Sequence, residues 1–503
     1  MRFQTALCVW IFLALPMGAA DPAARPTQDW RVGPPEEQGF DSAKLAQGLA
    51  AIWEKGLNLH SLLIVRNGTL ILEAYFYPYD GKTVHELASV TKSLTTTLIA
   101  IAADRGKLAL DQPVLSFFPE RRIANRDARK ERLTVRHLAG MSSGLECTAA
   151  HDEQTLDEMR ASPDWVQFIL DRKMTDEPGT RFVYCSPGMH LLSAILHKAT
   201  GLTALDFARQ YLFEPLGIRD VLWDADPRGI SRGWGDAFLH PRDAAKLGLL
   251  WRQKGLWQGR RIVSAEWVEE SVKVQIKTGR DDDYGFGWWI TGNKGEYAAV
   301  GRGGQRIQVW PDIDTILVMT GGGVDIDDIE PLIAPALVDA SRPLPANPAG
   351  VEKLAEAVAA AARAPAPKPV PGLPAAAKSI SGQTFEIQPN PFGIKALRLD
   401  FPGTDEAGLA MSFDDASLDF AARIGLDGAY RFVNWEHDLP LGLRGAWEDA
   451  RTFALEWDGI GNRDAYLLRL SFEEDRLSAV VRERTRDDSV SLEGRMRSRS
   501  SCA

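Results

Sequence analysis

The chain of 503 residues is too long for one ordinary hydrophobic core, so two or more domains are expected. Hydrophobic residues make up 45% and charged residues 25%, close to the average for soluble globular proteins, which excludes a disordered, collagen-like or polytopic membrane chain. A formal net charge of −10 argues against nucleic acid or an anionic membrane as the principal partner.

Residues 1–20 have the layout of a secretory signal peptide. Arg2 precedes an apolar run from Ala6 to Leu15, and the small residues Gly18 to Ala20 follow. The run is too short for a permanent membrane anchor, and no later segment has about 18 uninterrupted apolar residues. We therefore expect an exported protein, periplasmic or extracellular, with no transmembrane anchor after signal cleavage.

Export places the mature chain in an oxidising compartment, where disulfides persist. Three cysteines remain after signal removal, Cys147, Cys185 and Cys502, so at most one intramolecular bridge can form. Cys147 and Cys185 are the candidates, because Cys502 lies in a polar tail. The alternative is three free thiols.

Residues 21–345 alternate strand-like and helix-like patterns. Helices enclosed between early and late strands predict an α+β domain with one antiparallel sheet. Asn67-Gly68 between two apolar runs predicts a hairpin. The predicted strands are Ser61–Val65, Leu70–Tyr75, Tyr284–Ile290, Tyr297–Val300, Ile307–Trp310 and Thr315–Thr320. The predicted helices are Thr91–Asp104, Leu191–Thr200 and Pro241–Trp251.

The composition changes after residue 345. Residues 346–378 hold an Ala-rich helix, Val351–Ala362, and a proline-rich linker. Residues 379–498 carry short alternating segments with Gly- and Asp-rich turns, which predict an all-β sandwich or barrel. Its predicted strands are Ala396–Phe401, Gly408–Phe413, Thr452–Trp457, Ala465–Phe472 and Leu477–Glu483.

Ser89 and Lys92 form a Ser-x-x-Lys motif where the helix over 91–104 begins. Positions i and i+3 share a helix face, so the lysine amine can reach the serine hydroxyl. Backbone N–H groups at a helix start can also hold a developing oxyanion. Taken alone, the motif is better explained by an ordinary helix cap with a solvated lysine, because roughly one such match is expected by chance.

Further motifs give the Ser-x-x-Lys pair a context. They are, in chain order, Leu133–Leu138, Ser142–Leu145, Tyr184 with Ser186, and Tyr284–Trp289. In order and spacing, these motifs resemble the serine β-lactamase and penicillin-binding-protein superfamily, in its class C and esterase-like branch, over about residues 35 to 325. The resemblance implies the β-lactamase/transpeptidase-like fold, an antiparallel sheet with a helical subdomain.

The resemblance implies a role for each matching residue. Ser89 would be the acylated nucleophile, Lys92 would take or relay its proton, and Tyr184 would act as acid and base toward the leaving group. Ser186 would hydrogen-bond the lysine or a substrate amide. The alternative for Tyr184 is a core tyrosine with a satisfied hydroxyl.

The superfamily's third motif is Lys-Thr-Gly or His-x-Gly. It has no literal counterpart after the predicted strand Tyr284–Ile290, which carries Trp288 and Trp289 and is called the tryptophan strand below. Gly301-Arg302-Gly303-Gly304-Gln305 stands there. Arg302 would occupy the Lys or His position and suits a carboxylate, which disfavours efficient β-lactam hydrolysis. Gly303 and Gly304 would let a ligand approach the backbone closely. The Gln305 N–H would be the second oxyanion donor beside that of Ser89.

Three other patterns are interpreted as unrelated to function. Lys277-Thr278-Gly279 lies in a charged loop before the tryptophan strand, whereas the superfamily's motif follows it. Gly140–Gly144 is a formal Gly-x-Ser-x-Gly without the preceding strand that a nucleophile elbow needs. The acidic run 325–330 matches no ligand spacing, so no metal site is predicted.

We therefore expect a secreted, metal-independent serine hydrolase that needs no cofactor and acts on a small-molecule ester, amide or peptide. Arg302 favours esterase or amide hydrolase activity, and a D-Ala-D-Ala peptidase or β-lactamase is an alternative. Another is a non-catalytic binding or sensor protein that uses the same cleft. The C-terminal β-domain resembles the lipocalin-like modules appended to such hydrolases, and would restrict substrates if it packed against the cleft.

Overall fold

The computed structural model describes residues 30–148, 153–292, 295–485 and 488–497. The predicted signal peptide and Cys502 lie outside these residues. The described chain forms an α+β domain and a C-terminal β-barrel, each with its own hydrophobic core. Within the described ranges, no helix combines the length and apolar character needed to cross a membrane.

An eight-stranded sheet organises the α+β domain. The strands of this domain are β1 (Arg31–Val32), β2 (Leu59–Arg66), β3 (Thr69–Tyr75), β4 (His85–Glu86), β5 (Leu222–Trp223), β6 (Ala237–Leu239), β7 (Leu256–Trp257), β8 (Arg260–Arg261), β9 (Asp283–Tyr284), β10 (Trp289–Thr291), β11 (Glu296–Gly301), β12 (Gln305–Trp310) and β13 (Thr315–Gly321). The large sheet has the order β1-β3-β2-β13-β12-β11-β10-β9, antiparallel except for the β1–β3 pair.

Helices cover both faces of this sheet. They are α1 (Ser42–Glu54), α2 (Thr91–Asp104), α3 (Ala128–Glu131), α4 (Val135–Ala139), α5 (Gln154–Arg160), α6 (Trp165–Asp171), α7 (Ser186–Thr200), α8 (Ala204–Ala208), α9 (Glu214–Leu216), α10 (Pro241–Arg252), α11 (Ala265–Ser271), α12 (Ile326–Ile333), α13 (Pro348–Ala361) and α14 (Ala375–Ile380). Leu63 and Val65 of β2 belong to the core shared with α2 and α10, whereas Leu62 and Ile64 belong to the core under α1, α12 and α13. Alternate residues of one strand thus serve two helical layers.

The structure confirms some of the predicted helices and strands and contradicts one of them. The β2–β3 hairpin is confirmed, and its Asn67 and Gly68 have φ values of 46° and 72°, as a two-residue type I′ turn requires. Helix α2 has the predicted bounds, while α7 begins at Ser186, five residues before the predicted start. The single strand predicted over Tyr284–Ile290 is wrong. The chain instead turns at Gly287, where φ is 76°, and pairs β9 with β10.

The Ala-rich helix packs on the first domain and is not a free linker segment. Leu354 and Ala361 of α13 are buried in the core that α1 and β3 also line. The extended linker is therefore short, between the end of α13 and the start of α14 at Ala375.

The C-terminal strands close into a barrel of nine strands, with one further strand beside them. They are β14 (Thr384–Ile387), β15 (Ile394–Asp400), β16 (Glu406–Phe413), β17 (Phe420–Gly425), β18 (Arg431–Asn434), β19 (Pro440–Trp447), β20 (Thr452–Gly459), β21 (Ala465–Glu473), β22 (Arg476–Glu483) and β23 (Asp488–Met496). Antiparallel neighbours run β17-β16-β15-β14-β23-β22-β21-β20-β19, and β17 meets β19 at Gly425 and Arg444 to close the ring. The prediction of an all-β domain is confirmed as a barrel.

The loop between β20 and β21 joins the barrel to the α+β domain; we call residues 460–464 the docking loop. The Glu86 N–H donates to the Gly461 carbonyl at 2.7 Å. A Cβ on Gly461, where φ is 86°, would lie 2.3 Å from the Val84 carbonyl oxygen, so only glycine allows this approach. Arg463 forms an ion pair with Glu86, whose side chain is 4% exposed. Glu86, which makes both contacts, precedes Ser89 by three positions in the chain.

A second junction contact gives the assembly a pH dependence. His437 Nε2 lies 3.2 Å from Asp224 Oδ1, and the hydrogen bond with Asp224 raises the pKa of His437 above its ordinary value. Because the folded-state pKa is raised, the stabilisation is fully present below about pH 6.5 and is lost as the pH rises through the folded pKa.

We expect His437→Gln to cost roughly 0.5 kcal/mol of unfolding free energy near about pH 6, and less near about pH 8. Urea unfolding of both proteins at the two pH values measures the difference. A cost that stays the same across this range would contradict the assignment.

Candidate active site

Ser89 lies in the short 3-10 turn Ala88–Val90, directly before α2. Ala88 has a φ of 46°, a left-handed conformation that costs a non-glycine residue roughly 1–2 kcal/mol. The surrounding structure holds it there, because the Leu87 N–H donates to the Ala237 carbonyl at 2.8 Å. The strained turn brings the half-buried Ser89 to the start of the helix.

Lys92 is buried beneath Ser89, with only 1% of the residue exposed. Its Nζ donates to Ser89 Oγ at 2.8 Å and to the Trp234 carbonyl oxygen at 3.0 Å. The two bonds fix the amine at the nucleophile. The helical i and i+3 spacing therefore produces the contact expected from the sequence.

Tyr184 completes the group that the sequence analysis singled out. Lys92 Nζ lies 4.7 Å from the centre of the Tyr184 ring. The ring stacks on Trp289 with a centroid distance of 5.9 Å and meets Tyr284 edge-on at 6.5 Å. Aromatic packing thus positions a half-buried tyrosine against the lysine.

Ser186 does not make the bond to Lys92 that was expected of it. It is the first residue of α7, and its hydroxyl donates to Glu153 Oε1 at 3.1 Å. In the described part of the chain, the Lys92 amine is engaged by Ser89 and Trp234 instead. Contact of Ser186 with a substrate amide stays a prediction.

The third-motif segment is the hairpin turn between β11 and β12. Gly301, at the end of β11, lies against the nucleophile turn: a Cβ there would be 3.0 Å from Ser89 N and 2.6 Å from the Leu87 carbonyl oxygen. Gly303 and Gly304 have φ values of 85° and 98° and form the turn itself. Gln305 pins the turn, because its side-chain amide donates to the carbonyls of Gly321 at 2.7 Å and Arg302 at 3.1 Å.

The Arg302 side chain is engaged by the barrel in this structure, so its predicted contact with a substrate carboxylate stays a prediction. Its guanidinium donates to Asp464 Oδ1 at 2.8 Å and to Glu483 Oε2 at 3.5 Å, and both carboxylates belong to the barrel. A substrate carboxylate would have to compete with these two carboxylates for the positive charge of the Arg302 guanidinium. The docking loop thus contacts both the strand that precedes the nucleophile turn, through Glu86, and the third-motif turn, through Arg302.

A disulfide joins Cys147 to Cys185, which are 38 positions apart in sequence and have 5.8 Å between their Cα atoms. Cys185 stands between Tyr184 and Ser186, so the bridge anchors the segment that carries the second motif. The bridged arrangement, not three free thiols, is the one in the structure.

Two sequence patterns that were interpreted as unrelated to function have contacts of their own. Lys277 pairs with Asp283 at 2.7 Å, and its side chain is 81% exposed, so the literal Lys-Thr-Gly is a surface loop. Ser142 follows α4 and comes within 3.5 Å of the His137 carbonyl. The bond to the Trp234 carbonyl and the close approach of Gly301 to Ser89 were not predicted, because backbone acceptors and close approaches leave no side-chain signature in the sequence.

A serine hydroxyl bonded to a buried lysine, at the start of a helix beside an antiparallel sheet, defines the class of protein as a serine hydrolase. The sequence pattern of the beta-lactamase family matches residues 45–324. The chain therefore belongs to the beta-lactamase family, as the motif resemblance predicted.

Relatives within this family are named hydrolases. The chain is 26% identical over 313 residues to the 6-aminohexanoate-dimer hydrolase of Paenarthrobacter ureafaciens, covering 57% of this chain and 79% of that protein. It is 26% identical over 243 residues to esterase EstB of Burkholderia gladioli, covering 43% and 62%. A solved putative beta-lactamase from Bacteroides dorei shares 18% identity and a TM-score of 0.50 over 60% of this chain and 100% of that one. This last likeness concerns the fold, and the fold prediction is confirmed.

Proposed function

We propose that the protein hydrolyses carboxylic esters or amides through an acyl-enzyme on Ser89. The observation that carries the proposal is the 2.8 Å contact between Lys92 Nζ and Ser89 Oγ. In its neutral form, Lys92 takes the hydroxyl proton as Oγ attacks the substrate carbonyl carbon. Tyr184, packed against the amine, relays this proton from Lys92 to the leaving oxygen or nitrogen. Water then attacks the acyl carbonyl carbon while Lys92 and Tyr184 take its proton and return it to Ser89 Oγ, which releases the acid and restores the free serine.

Backbone N–H groups would stabilise the oxyanion that forms during both steps. The Ser89 N–H, at the start of the helix, is one donor. In the third-motif segment, Gly301 lies close to Ser89, since a Cβ on Gly301 would be 3.0 Å from the Ser89 backbone nitrogen. We therefore assign the second donor to the peptide that follows Gly301, the Arg302 N–H, in place of the predicted Gln305 N–H.

The substrate preference rests on the relatives and no longer on Arg302, whose side chain is engaged by the barrel. One relative is named for hydrolysis of the 6-aminohexanoate dimer and another is named an esterase. These names favour a linear amide or an ester over a β-lactam. The Cys147–Cys185 disulfide and the layout of residues 1–20 support export to an oxidising compartment.

Intact-mass analysis after treatment with a fluorophosphonate tests the acyl-enzyme proposal. The wild-type chain is expected to gain one covalent adduct, and Ser89→Ala to gain none, because the attacking Oγ is absent. A wild-type chain that stays unlabelled would overturn the proposal in favour of a non-catalytic binding protein.

The same measurement with a penicillin separates the substrate classes. No adduct and no turnover support the ester or amide preference. A stable penicilloyl adduct would instead indicate a penicillin-binding protein with slow deacylation, and steady turnover would indicate a β-lactamase.

A further inference from the structure

The barrel encloses a cavity of about 290 Å³ that the proposed hydrolysis does not use. Apolar side chains of the barrel domain form its wall, among them Phe392, Met411, Phe413, Trp457, Leu468 and Val481. Protein interiors seldom leave voids larger than a water molecule. This volume instead approaches that of small-molecule pockets, roughly 300–1,000 Å³. Small barrels either fill their lumen with side chains or hold one small ligand, and this one is not filled.

The mouth of the cavity faces the α+β domain. Phe238 of β6 forms part of the wall, together with Asn462 and Asp464 of the docking loop. His437 closes one side, because its ring lies 5.7 Å from the ring of Phe238. The His437 backbone has a φ of 57°, in the left-handed region. The site is therefore a cavity of the barrel to which the α+β domain contributes one wall residue, Phe238.

The charges at the mouth disfavour an anionic ligand. His437 is paired with Asp224, and Asp464 is paired with Arg302, so both charges serve the domain junction. The exposed Glu436 adds a carboxylate at the rim. An anion such as a fatty acid would meet these carboxylates, whereas an uncharged apolar molecule would bury its surface against the wall at roughly 25 cal/mol per Å².

We propose that the barrel lumen is a binding site for a small, uncharged, apolar molecule. Because the ligand touches the barrel and Phe238 and not the reacting atoms, binding does not depend on acylation of Ser89. The site is distinct from the proposed catalytic residues, and the proposal stands or falls separately from the hydrolase activity.

Binding of the neutral fluorescent probe N-phenyl-1-naphthylamine to the full chain carrying Ser89→Ala tests the proposal. Saturable fluorescence enhancement is expected, with energy transfer from Trp435 and Trp457, which line the lumen. 1-Decanol is expected to displace the probe, and decanoate to compete at least about tenfold more weakly.

Neighbouring positions of β22 provide a matched pair of variants. Val481 lines the lumen, whereas Val480 is 41% exposed on the outside. Val481→Trp is expected to weaken probe binding at least about tenfold and Val480→Trp to leave it within about twofold. Leu468→Phe, a milder filling of the lumen, keeps the test decisive if Val481→Trp fails to fold, and is expected to weaken binding about threefold.

Absence of saturable binding would overturn the proposal, as would lumen variants that bind the probe like Val480→Trp. Equal competition by decanoate and 1-decanol would overturn the assignment of an uncharged ligand.

Discussion

Replacing Lys92 with methionine is expected to lower kcat/KM for ester hydrolysis by about 10³-fold or more. Methionine keeps an unbranched side chain of similar length but removes the Nζ that lies 2.8 Å from Ser89 Oγ. Without a base at this position, the hydroxyl has no group to receive its proton during attack. The loss should fall mainly on kcat, because the amine acts on the nucleophile and not on substrate binding.

A second buried lysine offers a matched control. Lys130 is also 1% exposed, and its Nζ donates to the carbonyls of Leu170 at 2.9 Å and Ala124 at 3.0 Å, contacts unrelated to Ser89. Lys130 Nζ also donates to the Arg172 carbonyl at 2.6 Å, so Lys130→Met should destabilise the fold at least as much as Lys92→Met and yet keep kcat/KM per folded molecule near the wild-type value. If Lys92→Met hydrolysed a p-nitrophenyl ester within about threefold of Lys130→Met, Lys92 could not be the base.

Glu86→Gln is expected to lower the unfolding free energy by about 3 kcal/mol. The substitution keeps the shape of the side chain but removes the charge that pairs with Arg463 across the domain junction. Breaking a buried ion pair on one side leaves the other charge less well compensated in a poorly solvated site. Asp464 still lies 3.5 Å from Arg463, which keeps the loss at the low end of the range for buried pairs. Activity should fall as well, because Glu86 lies in the strand that leads into the Ser89 turn.

An exposed pair within the barrel is the control for this prediction. Glu448 lies 3.0 Å from Arg469, with side chains 40% and 45% exposed, so Glu448→Gln should cost less than about 0.5 kcal/mol. Urea unfolding of both variants measures the two costs, and limited proteolysis of the linker reports undocking. Equal stability of the two variants would show that the junction pair does not hold the domains together.

The sequence predicted those features that are determined within a few residues of chain. Helix α2 follows from its apolar spacing, and the Ser89–Lys92 contact follows from one helical turn. Tyr184 needed the motif resemblance, since no local pattern relates it to a lysine 92 positions away. The division of Tyr284–Ile290 into two strands depends on Gly287, where a Cβ would lie 2.4 Å from Thr96 Oγ1. That approach is a property of the packed fold.

Arg302 shows why the rest of the site could not be predicted. The residue type suits a carboxylate, and the structure supplies one, but from Asp464, which lies 162 positions further along the chain. Nothing near Arg302 in the sequence indicates that the barrel would occupy its guanidinium. Contacts between domains depend on how two folded surfaces meet, which periodicity and motif spacing do not encode.

The docking loop also determines where this gene can be divided. The proline-rich stretch between α13 and α14 looks like a natural place to fuse the hydrolase domain to another partner. A crossover there would nevertheless separate Glu86 from Arg463 and Arg302 from Asp464. A hybrid with a foreign barrel would inherit a nucleophile turn without its outer support. Recombination that preserves activity must therefore transfer the docking loop together with the α+β domain that it contacts.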